Sequence, residues 1–192
     1  MHPGLAAKSV PELIELVKAK PDAYSFGSSG VGTSTHLAGE LFMAKTGTRM
    51  THVPYKSSGE VVLAVAGGQV DMAFDNIPTV AAQAKDGKLR PLAVTSTERA
   101  ALLPDLPPLA DALPGFEATS WHGLFAPAGT PPAIVAKLSA EVQRILRAPA
   151  MSERLAGMGA KSIGSSPEEF VRFIGVERQK WADVINSAKI SL

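Results

Sequence analysis

The chain has 192 residues, 45% of them apolar and only 6% aromatic, with 19 Lys and Arg against 18 Asp and Glu and no Cys, a composition that fits one or two small globular domains. A formal net charge of +1 with no block of like charges argues against a sequence-independent polyanion binder, because neutralising several phosphates requires clustered Lys and Arg. No apolar run approaches the roughly 20 residues of a membrane helix, the opening Met1-His2-Pro3-Gly4 is not an export signal, and without Cys there are no disulfides, thiol catalysis or Cys-based zinc sites.

Ser9 with Glu12 three residues later is a capping box, and Val10, Leu13, Ile14 and Val17 follow it at i, i+3, i+4, i+7, so the spacing predicts a short amphipathic helix. Residues 24–27 read as a short apolar strand, the run Ser28-Ser29-Gly30-Val31-Gly32-Thr33 as a Gly-rich loop, and Leu37, Glu40, Leu41 and Ala44 as a helix. The same grammar repeats: strand 51–54, loop 55–58 and a helix through Val62 and Val65 that stops at Gly67-Gly68. Strand 70–74, loop 75–78 and a helix ending near Gly87 come next, and strand 92–94 closes a four-stranded, mostly parallel sheet.

Prolines 104, 107, 108 and 114 make residues 97–115 a connection. Beyond it, residues 119–125 read as one more strand, Gly129-Thr130-Pro131 as turn, N-cap and first helical residue, and Ile134, Val135, Leu138, Val142, Ile145 and Leu146 as one buried stripe. A second capping box, Ser166 with Glu169, opens a long helix with Phe170, Phe173, Ile174, Trp181, Val184 and Ile185 inward. A lone strand among helices lacks the neighbours its backbone groups need.

In an open parallel sheet the loops that follow the strands emerge on one edge, where such folds bind ligands. Here these are residues 28–34, 55–58, 75–78 and 95–97. The first suits a carboxylate or phosphate: glycines admit close backbone approach, Ser28, Ser29, Thr33 and Ser34 offer hydroxyls, and the following helix presents free N–H groups. The competing reading of that loop is a turn and N-cap with no ligand. Lys56 is the cation of these loops and could pair with a second ligand carboxylate or simply be solvated, while Asp75 could accept from a ligand donor or cap the next helix. His36, in the first turn after the Gly-rich loop, could touch ligand or serve as a packing or capping contact. His36, His52 and His122 are far apart in sequence and lack metal-ligand spacing, so neither a metal nor a cofactor is expected. There is no dinucleotide fingerprint after Gly30 and Gly32, no Gly-Lys-Ser/Thr loop and no nucleophile elbow around Ser28 and Ser29.

Residues 24–42, 52–56, 67–76, 92–96, 103–107 and 120–131 together resemble, in order and almost from end to end, the substrate-binding receptors of tripartite tricarboxylate transporters, the TctC or Bug type. The resemblance implies a periplasmic-binding-protein type II-like α/β fold with no enzymatic activity, which closes around a small carboxylated solute in the periplasm and hands it to membrane permease subunits. It also implies that the match starts inside the family pattern: residues 8–118 form the complete second lobe, with one parallel sheet, and 119–192 the mainly helical C-terminal portion of the first lobe. Ser28, Ser29, Gly30, Gly32, Thr33, Ser34 and His36 would then form the anion cradle, with Tyr55, Lys56, Asp75 and Asn76 on the same edge. On that register the chain alone is expected to bind solute weakly or not at all, and to self-associate through apolar surface that the absent half-lobe would cover. Two rival readings are a ligand-sensing effector domain of a regulator and a small-molecule enzyme; no helix-turn-helix for the first is visible.

Overall fold

The computed structural model describes residues 1–191. They divide into two compact units, one formed by Met1–Ser120 with the residues from Asp183 onward, the other by Trp121–Ala182.

The first unit opens with helix α1 (Val10–Ala19), capped by Ser9, whose hydroxyl accepts the Glu12 amide, while the Glu12 carboxylate accepts the Lys8 amide at 2.9 Å. This is the reciprocal pairing that the sequence encodes. Strand β1 (Ser25–Ser28) leads into α2 (Ser34–Thr46), β2 (Thr51–Pro54) into α3 (Ser58–Ala66), and β3 (Met72–Ala73) into α4 (Ile77–Lys85). The strands form one parallel sheet in the order β2-β1-β3, with Phe26 level with His52 on one side and Met72 on the other. The central strand is its most buried, and α2 is buried on most of its circumference, as a crossover helix between a sheet and further chain must be. Val61, Val62, Ala64, Val65, Val70 and Leu89 form a core cluster against which Val53 and Tyr55 pack.

Among the described residues the sheet has three strands and not four. Residues 92–94 form no strand: Val94 makes a single parallel bridge to Pro108, donating to the Pro107 carbonyl and accepting from the Leu109 amide. A ladder cannot grow along that partner, because Pro107 and Pro108 have no N–H to give. Residues 116–127 likewise carry no regular structure, so the expected strand at 119–125 is absent. Residues 121–129 are exposed and pair with no strand, and an extended segment without a neighbour leaves its backbone groups to solvent. The 97–115 connection contains a short 3-10 turn, Leu109–Asp111, and isolated bridges at Pro108 and between Ala100 and Leu103.

In the second unit α5 (Pro132–Arg147) begins one residue later than the sequence suggests, with Pro131 at its N-cap; the Thr130 hydroxyl instead closes the preceding turn onto the Pro127 carbonyl. Helix α6 (Pro149–Gly157), which periodicity does not announce, follows directly. The long α7 (Pro167–Ala188), whose residues from Asp183 onward belong to the first unit, is capped as expected, the Ser166 hydroxyl accepting the Glu169 amide and the Glu169 carboxylate accepting the Ser166 amide at 2.8 Å. Trp121, Phe125, Phe170 and Phe173 form an aromatic group, but Ile134, Leu138 and Ile145 of the expected inward stripe are half exposed or nearly so.

Gly39 of α2 carries a packing constraint: a Cβ there would lie 2.3 Å from the fully buried ring of Phe26. Gly39→Ala is expected to cost about 1–3 kcal/mol, the usual price of overpacking, whereas Gly175→Ala on α7, where nothing lies within 4 Å of the new methyl, should stabilise by about 0.5–1 kcal/mol. Urea denaturation of the two variants checks the opposite signs.

Candidate functional site

Because the three strands run parallel, the segments following them emerge at one sheet edge. The register carries this further: Gly27 is level with Ala73 and Ser28 with Pro54, so Ser29, Tyr55 and Asp75 leave the sheet side by side. Residues 95–97 follow no strand; the Thr95 carbonyl accepts the Ala118 amide and the Ser96 hydroxyl donates to the Glu98 carbonyl.

The turn between β1 and α2 is built on two glycines in the left-handed region, Gly30 at φ +130° and Gly32 at φ +76°, conformations in which a Cβ is strained. Thr33 caps α2: its hydroxyl accepts the His36 amide and donates to the Gly30 carbonyl at 2.7 Å. Thr35 turns its hydroxyl back to accept the Ser29 amide at 3.0 Å, with the Ser29 hydroxyl 2.9 Å away. Among the described residues the Ser34 and Thr35 amides have no hydrogen-bond partner, leaving two donors at the positive end of a 13-residue helix. Ser34 is exposed and its hydroxyl meets that of Ser120 at 3.0 Å.

Ser28 faces the other way. It is fully buried, and its Oγ lies 2.6 Å from His52 Nε2, 3.1 Å from the Gly30 carbonyl oxygen and 3.2 Å from the Gly30 amide it accepts. Hydroxyl and imidazole have the spacing of a nucleophile and its base, but the hydroxyl has no exposed surface and is engaged by two groups of Gly30 and by His52. His36 is similarly enclosed: Nδ1 accepts the Gly32 amide at 3.1 Å and Nε2 lies 3.3 Å from Glu40 Oε1, so both ring nitrogens are engaged within the protein. The His36 and His52 rings stack at 3.8 Å, with Phe26 against His52 at 4.9 Å.

Tyr55 supports the edge through its backbone, its amide donating to the Ser28 carbonyl at 2.8 Å while its ring packs on the core cluster. The exposed Lys56 donates its amide to Glu60, and its ammonium has no ion-pair partner among the described residues. Asp75 Oδ1 accepts the Asn76 amide at 2.7 Å, whereas Oδ2 is buried without a hydrogen-bond partner. Burial pushes this carboxyl above the usual carboxylate range, outweighing the opposing influence of Ser58 and the Asn76 amide. Asn76 is the N-cap residue of α4, yet its side chain makes no capping bond and stays exposed. The edge thus combines unpaired amides, hydroxyls, one cation and one under-partnered carboxyl. No group of three or more His, Asp or Glu side chains among the described residues is placed to hold a metal ion, and no helix is long and apolar enough to cross a membrane.

The sequence reading did not place His52, Thr35 or Glu40 among the site residues. Thr35 and Glu40 follow from the helical register of His36, one residue before it and one turn after it; His52 follows only from the β1–β2 register, which sets it beside Phe26.

A family model described as "Tripartite tricarboxylate transporter family receptor" matches residues 1–190. Protein BugT of Bordetella pertussis is 34% identical over 192 residues, which are 100% of this chain and 59% of the relative. The solved structure of R. palustris Rpa4515 with adipate superposes at a TM-score of 0.86 and 36% identity, over 98% of this chain and 63% of that one. MatC (Rpa3494) from Rhodopseudomonas palustris with bound malate gives 0.77 at 30%, over 96% and 64%. The chain therefore spans less than two thirds of the length of these proteins, and it belongs to the tripartite tricarboxylate transporter receptor family.

Proposed function

We propose that this chain, a member of the tripartite tricarboxylate transporter receptor family, forms part of a periplasmic receptor that captures a small carboxylated solute for the membrane subunits of a transporter. The observation that carries this reading is the pair of unpaired amides of Ser34 and Thr35, at the start of α2 and beside the left-handed Gly30 and Gly32. A carboxylate has the charge and the acceptor geometry that such a helix start favours. Ser29, Thr33 and Ser34 form the rim of the cradle and Ser28 and His36 its support, while Lys56, Asp75 and Asn76 on the neighbouring loops read the rest of the solute. Adipate and malate in the solved relatives support a dicarboxylate as the class. The enclosed Ser28 hydroxyl favours binding without turnover.

Millimolar adipate added to the ¹⁵N-labelled chain is expected to shift the amide signals of Ser34, Thr35 and Gly32, while the uncharged adipamide leaves them in place. Gly32→Val, which forces a β-branched residue into the left-handed region, should abolish the shifts. Unchanged Ser34 and Thr35 signals would contradict the reading.

We also infer that the chain self-associates. Leu124, Phe125, Ile163, Val171 and Val176 of the second unit are between 66% and 71% exposed, and apolar side chains of this kind, where they form one patch, mark contact surfaces. Size exclusion with light scattering should give a mass that rises with concentration above 20.0 kDa; a constant monomer mass contradicts it.

A further inference from the structure

We propose that His36 and His52 are positioning residues, a stacked imidazole pair that holds the Gly-rich loop open to an anion only while His36 Nδ1 is unprotonated. The inference deepens the carboxylate reading, on which its consequence for solute binding rests, but the contacts that carry it lie wholly within the protein.

The pair grips the loop at two points. His36 Nδ1 accepts the Gly32 amide at 3.1 Å, which requires a lone pair on that nitrogen and places the ring proton on Nε2, facing Glu40 Oε1 at 3.3 Å. His52 Nε2 meets the Ser28 hydroxyl at 2.6 Å; that oxygen accepts the Gly30 amide, and its single proton goes either to His52 Nε2 or to the Gly30 carbonyl 3.1 Å away. One imidazole therefore sets each of the two left-handed glycines, His36 directly and His52 through Ser28. The rings lie 3.8 Å apart and within 14° of parallel, so they also fix one another.

A proton on His36 Nδ1 turns an acceptor into a donor aimed at the donor of Gly32, and the contact is lost. It also sets a positive charge against the face of His52, where a second charge is strongly opposed. Glu40, from α2, is the other titratable group in contact with the pair; β1 faces it with Phe26 and Ser28, which do not titrate. Burial holds His36 below the ordinary imidazole value, and burial with the neighbouring His36 holds His52 down to about 4. For such depressed bases the contribution to stability is complete above the ordinary 6.5 and is lost as pH falls towards about 4. Burial raises the Glu40 carboxyl, which acts in the opposite direction over the acid range, so overall stability is a poor reporter and the loop itself must be read.

The test uses the full ¹⁵N-labelled chain without solute, so that a failure of positioning is distinct from a failure of carboxylate binding. Long-range ¹H–¹⁵N spectra at pH 7 should show His36 Nδ1 unprotonated and Nε2 protonated. On lowering the pH, the Gly32 amide signal should move with the imidazole nitrogens, and its hydrogen exchange, corrected for intrinsic rate, should rise about tenfold once its acceptor is gone. His36→Gln keeps an acceptor but no titrating base, and should leave the Gly32 signal flat over the same range. The proposal is overturned by a protonated Nδ1 at pH 7, by a Gly32 signal that stays put until the whole chain unfolds, or by a Gly32 titration that survives in His36→Gln. Should the variant fail to fold, the wild-type titration decides alone.

Discussion

The structure of the candidate site depends on how β1 ends. Four residues of this strand pair with β2 and two of them, Phe26 and Gly27, also with β3, and the chain must then leave a crowded sheet and start α2 within five residues. That turn is sterically accessible only with glycine at the left-handed positions 30 and 32. Its polar groups are satisfied by what lies nearest: the Thr33 and Thr35 hydroxyls from α2, the Ser28 hydroxyl from the strand, and the two imidazoles beneath. Once those bonds are made, the amides of Ser34 and Thr35 are left without a partner among the described residues, and the proposed binding character of the edge follows from this remainder.

The same constraint separates residues that present chemistry from residues that support it. Ser28 and His36 have the functional groups of ligand contacts, but burial and saturated hydrogen bonding assign them to the frame of the loop. Lys56 and Asn76 are free at the surface, and Asp75 keeps one carboxylate oxygen without a partner. A carboxylate in that position gains from any hydroxyl or ammonium donor that a solute brings near it, because an unpartnered buried oxygen is costly.

Much of this was legible in the sequence, and the exceptions have physical causes. The capping boxes Ser9–Glu12 and Ser166–Glu169 locate helix starts because the chemistry is local. The alternation of short apolar runs with helices gives the parallel sheet and the shared edge of residues 28–34, 55–58 and 75–78. Strands at 92–94 and 119–125 fail because strand formation depends on a partner: Val94 meets a proline pair that cannot extend a ladder, and residues 121–129 meet no strand at all. The contact of His36 with His52 was illegible for a related reason, since the rings lie sixteen positions apart, one on α2 and one on β2, and meet only once the helix packs on the paired strands. The exposure of Ile134 and Leu138 shows the limit of periodicity, which identifies an apolar face without saying what lies against it.

The central claim is that the loop between β1 and α2 receives a carboxylate. A crystal structure of the chain grown with malate tests it most directly. The account predicts a malate carboxylate oxygen within hydrogen-bond distance of the Ser34 and Thr35 amides, with the Gly32 amide still on His36 Nδ1. Malate seated away from this loop, or a loop whose Ser34 and Thr35 amides bind the protein's own groups, would contradict it.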